Sequence, residues 1–406
     1  MRGLLRAAGV VPLLVGLGIG RSAHAQTYSQ LYSFQCVTTN DGDSPYADLI
    51  ADSTGNLYGT TKFGGDFGYG TVFEISPNGT ETVLYSFAGP PNDGSWPRAG
   101  VVRDQAGDLY GTTSEGGEHD QGTVFEVSAQ GTETVLHNFF ENKRDGAYPL
   151  GRLLLDGAGN LYGTTSAGGT AFEGTVFRLS PTGTENVLSS FTGFPTDGQY
   201  PAPGVIPDNK GNLYGTTTGG GVAGDGTVFE LTKDHTETVL YSFSGPPDGE
   251  IPFAGLVRDA AGNVYGTTPY GGRATPCPSQ IVYDGCGTVF KLAPSGQETL
   301  LYTFTGGTDG GVPYSDLIMD PKGNLYGTTS QGGSPIGCGG APEFVGCGVV
   351  FEITTAGKER VLYTFNGGTD GAAPYGGLLY SKGALYGTTT AGGTEFNCGT
   401  VFKVTP

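Results

Sequence analysis

The 406-residue chain carries 75 glycines, 25 prolines and 22 copies each of tyrosine and phenylalanine, with only 15% charged residues. Helix breakers fill close to a quarter of the positions, which excludes a helical protein and fits strands joined by turns. Glycine follows no three-residue period and 11% of residues are aromatic, so collagen and disorder are excluded as well. A formal charge of −19 makes nucleic acid and anionic membranes poor partners.

Residues 1–25 have the layout of an export signal. Arg2 and Arg6 precede an apolar stretch from Ala7 to Ile19, and Ala23-His24-Ala25 supplies a small-x-small cleavage site. The mature chain, 26–406, is expected to be one domain. Loss of Arg2, Arg6 and Arg21 with the leader leaves 17 bases against 39 acids. No later segment offers about 18 consecutive apolar residues, the span of a bilayer. The expected product is a soluble, exported monomer, whether periplasmic, cell-surface or secreted.

A single unit then repeats seven times. Tyr-Gly-Thr-Thr-x-x-Gly-Gly begins at Tyr58, Tyr110, Tyr162, Tyr214, Tyr265, Tyr326 and Tyr386. Asp-Gly-x-x-Pro precedes each copy, at Asp41, Asp93, Asp145, Asp197, Asp248, Asp309 and Asp370. Gly-Thr-Val-Phe follows each, altered only to Gly348-Val349-Val350-Phe351 in the sixth. Within the first copy, turn residues delimit four strands, a to d, predicted over Tyr46 to Asp52, Asn56 to Thr61, Thr71 to Ser76 and Glu81 to Phe87. Short links carrying Gly or Asn join a to b and c to d as tight hairpins.

Radially repeated four-stranded units make a β-propeller. The ends favour a closed ring over an open β-solenoid: a lone d-type strand, 28–34, opens the mature chain, and a c-type strand, 400–405, closes it. Pairing the two completes the seventh blade and removes exposed strand edges. The expected fold is therefore all-β, a seven-bladed propeller closed by its N-terminal strand.

Six cysteines in an exported chain imply three disulfides. On the repeat map Cys36 and Cys398 become cross-strand neighbours only if the ring closes in this way. Cys277 with Cys286 and Cys338 with Cys347 fall inside the two long b–c loops. No Cys-x-x-Cys or histidine spacing accompanies them, so no metal is expected, and no cofactor either. Gly219 to Gly224 matches Gly-x-Gly-x-x-Gly but links two strands rather than opening a helix, which dismisses a dinucleotide site.

Strand direction alternates, so the d–a and b–c loops share one face of the ring, and function is expected there. The seven aspartates of Asp-Gly-x-x-Pro are candidates for an anionic, ligand-binding ring, although Asp-Gly is also ordinary turn chemistry. Positions that vary between copies are the other candidates: Trp96, the Glu118-His119-Asp120 loop, Glu141 to Arg144, Arg273 with Tyr283, and Glu343 with Phe344. Aromatic rings beside acids and amides suit carbohydrate. No catalytic set is legible, because the three mature histidines match no Ser-His-Asp constellation and no carboxylate pair stands out. The expected role is a non-catalytic module binding a glycan or an envelope protein. The alternative is a carbohydrate-active enzyme, a glycoside hydrolase or lyase using two carboxylates, and a structural role in the envelope is a third reading.

The units Gly-Asn-Leu-Tyr-Gly-Thr-Thr-x-x-Gly-Gly, Gly-Thr-Val-Phe-Glu and Val-Leu-Tyr-Ser-Phe resemble the GloVer (gloeo/verruco) tandem repeat of exported bacterial proteins, across residues 28–406. The resemblance implies export rather than any reaction. Asp-x-x-Gly-Asn-Leu-Tyr is also similar to turns of sensor-kinase periplasmic and virginiamycin B lyase-like propellers, which implies the fold alone.

Overall fold

The structure is a computed structural model that describes residues 26–36, 40–273, 277, 284–334, 338, 346–393 and 397–406. The leader expected at 1–25 lies outside the described residues. Seven four-stranded antiparallel sheets follow one another along the chain. The first runs from inner to outer strand through Ile50–Ala51, Leu57–Thr61, Thr71–Ile75 and Glu81–Ser86. The seventh combines Leu379–Ser381, Ala384–Thr389 and Thr400–Thr405 with Thr27–Ser33 from the other end of the chain. That pairing runs from Thr27 opposite Thr405 to Ser33 opposite Thr400, with a bulge between Gln30 and Tyr32. The closure expected from the chain ends is present.

Each blade leans on the next through two contacts. A phenylalanine of strand c meets, edge to face, the phenylalanine that ends strand d of the preceding blade. Phe34–Phe73, Phe87–Phe125, Phe139–Phe177, Phe191–Phe229, Phe243–Phe290, Phe304–Phe351 and Phe365–Phe402 all lie with centroids 5.0–5.3 Å apart. Such rings are fully buried, each contributing about 1.5–3 kcal/mol by burial alone. The glycine of Tyr-Gly-Thr-Thr exists for this ring: a Cβ on Gly59 would sit 2.7 Å from the Phe73 ring and 2.8 Å from Leu49.

The second contact is a hydroxyl. The first threonine of the pair donates across the boundary to a carbonyl of the next blade, Thr60 to Ala99, Thr112 to Gly151, Thr164 to Pro203, Thr216 to Ala254 and Thr267 to Ser315. Thr328 to Gly376 and Thr388 to Ala47 complete the circle, and the seven distances span 2.6–3.3 Å. The second threonine stays in its own blade, paired with the strand c threonine in six copies. In the sixth, Val349 replaces that partner and its N–H donates to Thr329 instead.

These bonds also shorten strand a, which in the first blade is two residues long rather than the predicted seven. The carbonyls upstream of it, such as that of Ala47, serve the neighbouring blade's threonine instead of a ladder. The three disulfides join Cys36–Cys398, Cys277–Cys286 and Cys338–Cys347, as the repeat map requires. Three such bridges mark an exported protein. The first spans 362 residues, so in the chain-entropy picture it restricts the unfolded state by about 6 kcal/mol, against about 3 kcal/mol for a short staple. Cys36→Ser with Cys398→Ser should therefore lower the urea midpoint more than Cys277→Ser with Cys286→Ser. Equal shifts would show that ring closure depends little on its bridge.

Candidate functional site

Among the described residues, every large apolar side chain that is exposed belongs to one face. Phe67, Phe140, Phe172, Phe194, Tyr200 and Val222 sit on b–c or d–a loops, and Phe253 stands at the mouth of the channel these loops surround. The opposite face holds the a–b turns, whose aspartates are spent locally. Asp52 accepts the N–H groups of Thr54, Gly55 and Asn56 and the Thr54 hydroxyl. Burial pushes its carboxyl up, but these bonds outweigh burial and hold it at about 2.

The seven Asp-Gly-x-x-Pro carboxylates lie within the loop layer rather than around an open ring. Each accepts the backbone N–H of a residue just beyond the preceding strand d: Gln35, Ala88, Phe140, Thr192, Ser244, Thr305 or Asn366, at 2.6–3.2 Å. Five also accept a tyrosine hydroxyl from that strand, namely Tyr32, Tyr85, Tyr241, Tyr302 and Tyr363. Asp145 is met by His137 Nε2 at 3.3 Å and Asp197 by the Thr192 hydroxyl. The geometry thus ties strand d to the next blade's entry loop.

The variable candidates are scattered. Trp96 stands 6.0 Å from Phe63, and Lys62 Nζ lies 5.6 Å from the Trp96 ring and 4.4 Å from the Phe63 ring. His119 lies against exposed Phe140, with ring centroids 4.4 Å apart and the planes tilted by 43°, while Asp120 accepts the Gly116 N–H within its own loop. Glu141 is tied through its N–H to Gln121, and Arg144 through its N–H to Asn142. Arg273 is exposed, and Tyr283, Glu343 and Phe344 lie outside the described residues. For a metal, the one grouping of ligand atoms among the described residues is Cys36, Asp43 and Cys398, whose sulfurs are joined in the closing disulfide.

The residues that do converge were not singled out from sequence. Between each Asp-Gly-x-x-Pro and strand a, four residues run down the channel wall. The third of them is Asp48, Gly100, Arg152, Gly204, Gly255, Asp316 and Gly377 in the seven blades. Four glycines leave room and three charges fill it. Arg152 forms an ion pair with Asp48, and the Gly255 N–H donates to Asp316 at 2.5 Å. The Asp48 charge, and then Asp316, hold the guanidinium protonated, whereas burial and then Asp48 push the Asp316 carboxyl up.

This floor separates a loop-side recess of about 320 Å³ from a wider space of about 1070 Å³ on the other side. The recess has aromatic walls. Tyr46, Tyr375 and Tyr314 follow one another at 5.3 and 5.2 Å, Phe253 meets Tyr314 at 5.7 Å, and the hydroxyls of Tyr314 and Tyr270 are 2.5 Å apart. Burial, then Tyr46 and Tyr270, push Tyr375 to about 12, so the wall presents neutral phenols. Arg98 lines the same recess, and its Nε is buried without an acceptor. The column Asp, Gly, Arg, Gly, Gly, Asp, Gly is the signal that aligning the copies position by position would have exposed.

The repeat of Gloeobacter and Verrucomicrobia matches residues 20–208, 140–340 and 279–406. The chain belongs to this repeat family. No curated protein matches it. Among solved structures it is similar to the extracellular domains of two B. thetaiotaomicron proteins. The one-component system BT4673 shows 10% identity and a TM-score of 0.53 over 91% of this chain. The hybrid two-component system BT3049 shows 13% identity and a TM-score of 0.54 over 94%. The chain spans 40% and 41% of those two structures, and the likeness is one of fold.

The Gloeobacter/Verrucomicrobia repeat also places an acid pair in six of its blades. Strand d opens with Glu81, Glu133, Glu185, Glu237, Glu298 and Glu359, and in each the Oε1 atom is buried without a hydrogen-bond partner. Burial first, then the aspartate of the same blade's entry loop, raises Glu81 and Glu237 to about 8 and the other four to about 7. In the seventh blade Tyr28 takes this place and donates to the Asp370 carbonyl at 2.7 Å. A carboxyl raised by folding stabilises the fold below its unfolded value, near 4.5, and that stability is lost as pH rises through the folded value. The melting temperature should therefore fall between pH 5 and pH 8. Glu237→Gln should raise it at pH 8 and leave it unchanged at pH 5, and a flat profile in both proteins would contradict the assignment.

Proposed function

We propose that this repeat protein is an exported binding module that takes a carbohydrate on its loop face, at the mouth of the central channel. The observation that carries the reading is the recess itself: aromatic walls, an orphaned Arg98 Nε and a charged floor, on the face that bears the exposed apolar side chains. Sugar rings offer apolar C–H faces to tyrosine and phenylalanine and hydroxyls to arginine and carboxylate. The three disulfides support an oxidising compartment, where such ligands are met.

One observation favours a second reading, glycoside cleavage. Asp48 and Asp316 flank Arg152 on the floor, one ion-paired and the other pushed toward its protonated form. Binding is the better-supported reading because both carboxylates are already engaged, Asp48 by Arg152 and Asp316 by the Gly255 N–H. Purified residues 26–406, tested against plant and bacterial polysaccharides, should be retained without generating new reducing ends. Tyr375→Ala should weaken that binding about tenfold, equivalent to roughly 1.4 kcal/mol. New reducing ends that disappear in Asp316→Asn would replace binding with catalysis.

A further inference from the structure

The third residue after each aspartate of Asp-Gly-x-x-Pro is left-handed in all seven blades. Ser44, Trp96, Tyr148, Tyr200, Ile251, Val312 and Ala373 have φ between 51° and 58°. A clasp enforces this conformation. The N–H of each donates to a b–c loop carbonyl of the preceding blade, as from Trp96 to Tyr69, Tyr148 to Gln121 and Tyr200 to Glu173, and the seven distances are 2.8–3.0 Å. In six blades its carbonyl then accepts an N–H from just beyond its own strand b, as that of Trp96 does from Ser114.

A left-handed backbone is disfavoured for any residue with a side chain relative to glycine, and β-branched residues suffer most. Glycine fills dozens of positive-φ positions in this chain, yet none of these seven. The side chain is therefore kept for its own sake. In the sixth blade the reason is packing: Val312 is fully buried with Cys277, Cys286 and Tyr270, and Ile251 packs against the same cluster. Ser44 and Ala373 are minimal. In three consecutive blades the position carries an aromatic ring, Trp96, Tyr148 and Tyr200, none of them fully buried, with Tyr200 46% exposed. Exposed Phe172, Phe194 and Val222 lie on loops of the same sector.

We infer that Trp96, Tyr148 and Tyr200 form an aromatic crescent that binds an extended neutral polysaccharide, one stacking platform per blade, beside the channel mouth. The inference rests on the carbohydrate-binding reading above and adds a polymer to it. Three like platforms on successive blades match a ligand that is itself a repeat. The charge of −19, with the Glu173 carboxylate close enough to Tyr200 to raise its pKa, disfavours a polyanion. Alanine and serine already hold the clasp at Ala373 and Ser44, so truncation here leaves the backbone a conformation the fold accommodates.

The test is affinity electrophoresis of residues 26–406 in gels containing hydroxyethylcellulose, mixed-linkage β-glucan or soluble starch, with polygalacturonate as the anionic probe. Titration with sugars from one to six units accompanies it. Retention by a neutral polymer and affinity that grows with chain length are expected. Trp96→Ala and Tyr200→Ala should each weaken retention about tenfold at an unchanged melting temperature, while Trp96→Phe and Tyr200→Phe preserve it. Wild-type retention in the triple alanine variant, retention by polygalacturonate alone, or capture of a protein partner by these rings would overturn the inference. Affinity confined to single sugars and lost only in Tyr375→Ala would overturn the crescent and leave the carbohydrate reading standing. No carbohydrate binding of any kind would overturn both.

Discussion

The whole ring depends on one boundary, made seven times. A phenylalanine ring on strand c must lie across strand b to reach its partner on the preceding blade, and only a residue without a Cβ lets it pass, hence Gly59 and its counterparts. The threonine beside that glycine then bonds the next blade's inner segment. The repeat Tyr-Gly-Thr-Thr is thus an instruction about neighbours, not about the strand that contains it. Because the boundary between the last and first blades uses the same parts, Phe34 on Phe73 and Thr388 on Ala47, the chain closes without a special joint. Closure also gives the last c strand the outer partner that its own blade lacks.

Positions that are uniform across the copies are consumed by this architecture. The Asp-Gly-x-x-Pro carboxylates show it most clearly: their oxygens meet loop N–H groups and strand d hydroxyls, so an anionic ring in the sequence becomes a set of separate internal ties. Chemistry that can act on a ligand is left to positions where the copies differ. Asp48, Arg152 and Asp316 occupy a wall position that is glycine in the other four blades, and this asymmetry converts a uniform tube into a recess with a floor.

The fold was legible in the sequence because the copies constrain one another. The seven blades, the strand exchanged between the ends and the pairing of Cys36 with Cys398 all follow from aligning repeat with repeat. The length of strand a was not legible, since its carbonyls are taken by a hydroxyl from a neighbouring blade, a contact no local pattern announces. The site was legible only as a face. Trp96 stood out in the sequence because its position varies between copies, but its equivalence to Tyr148 and Tyr200 is a matter of backbone conformation, and a left-handed residue that is not glycine leaves no trace in composition. Tyr46, Tyr314 and Tyr375 read as ordinary strand aromatics until the ring is closed and brings them together.

The clasps that strain the backbone also explain how loops can serve as a binding surface. Loops normally lose conformational freedom when they bind, and that loss weakens association by about 0.5–1.5 kcal/mol for each side chain ordered. Here each entry loop is tied on one side to the preceding blade, through the left-handed N–H and the aspartate, and on the other to its own strand b. The two long inserts each carry a disulfide of their own. In the entry loops the ordering has been done by folding, and the strain at seven left-handed residues is part of what folding offsets in doing it. A ligand would then meet rings and charges already held in position, and its affinity would depend on what those side chains are rather than on how they move.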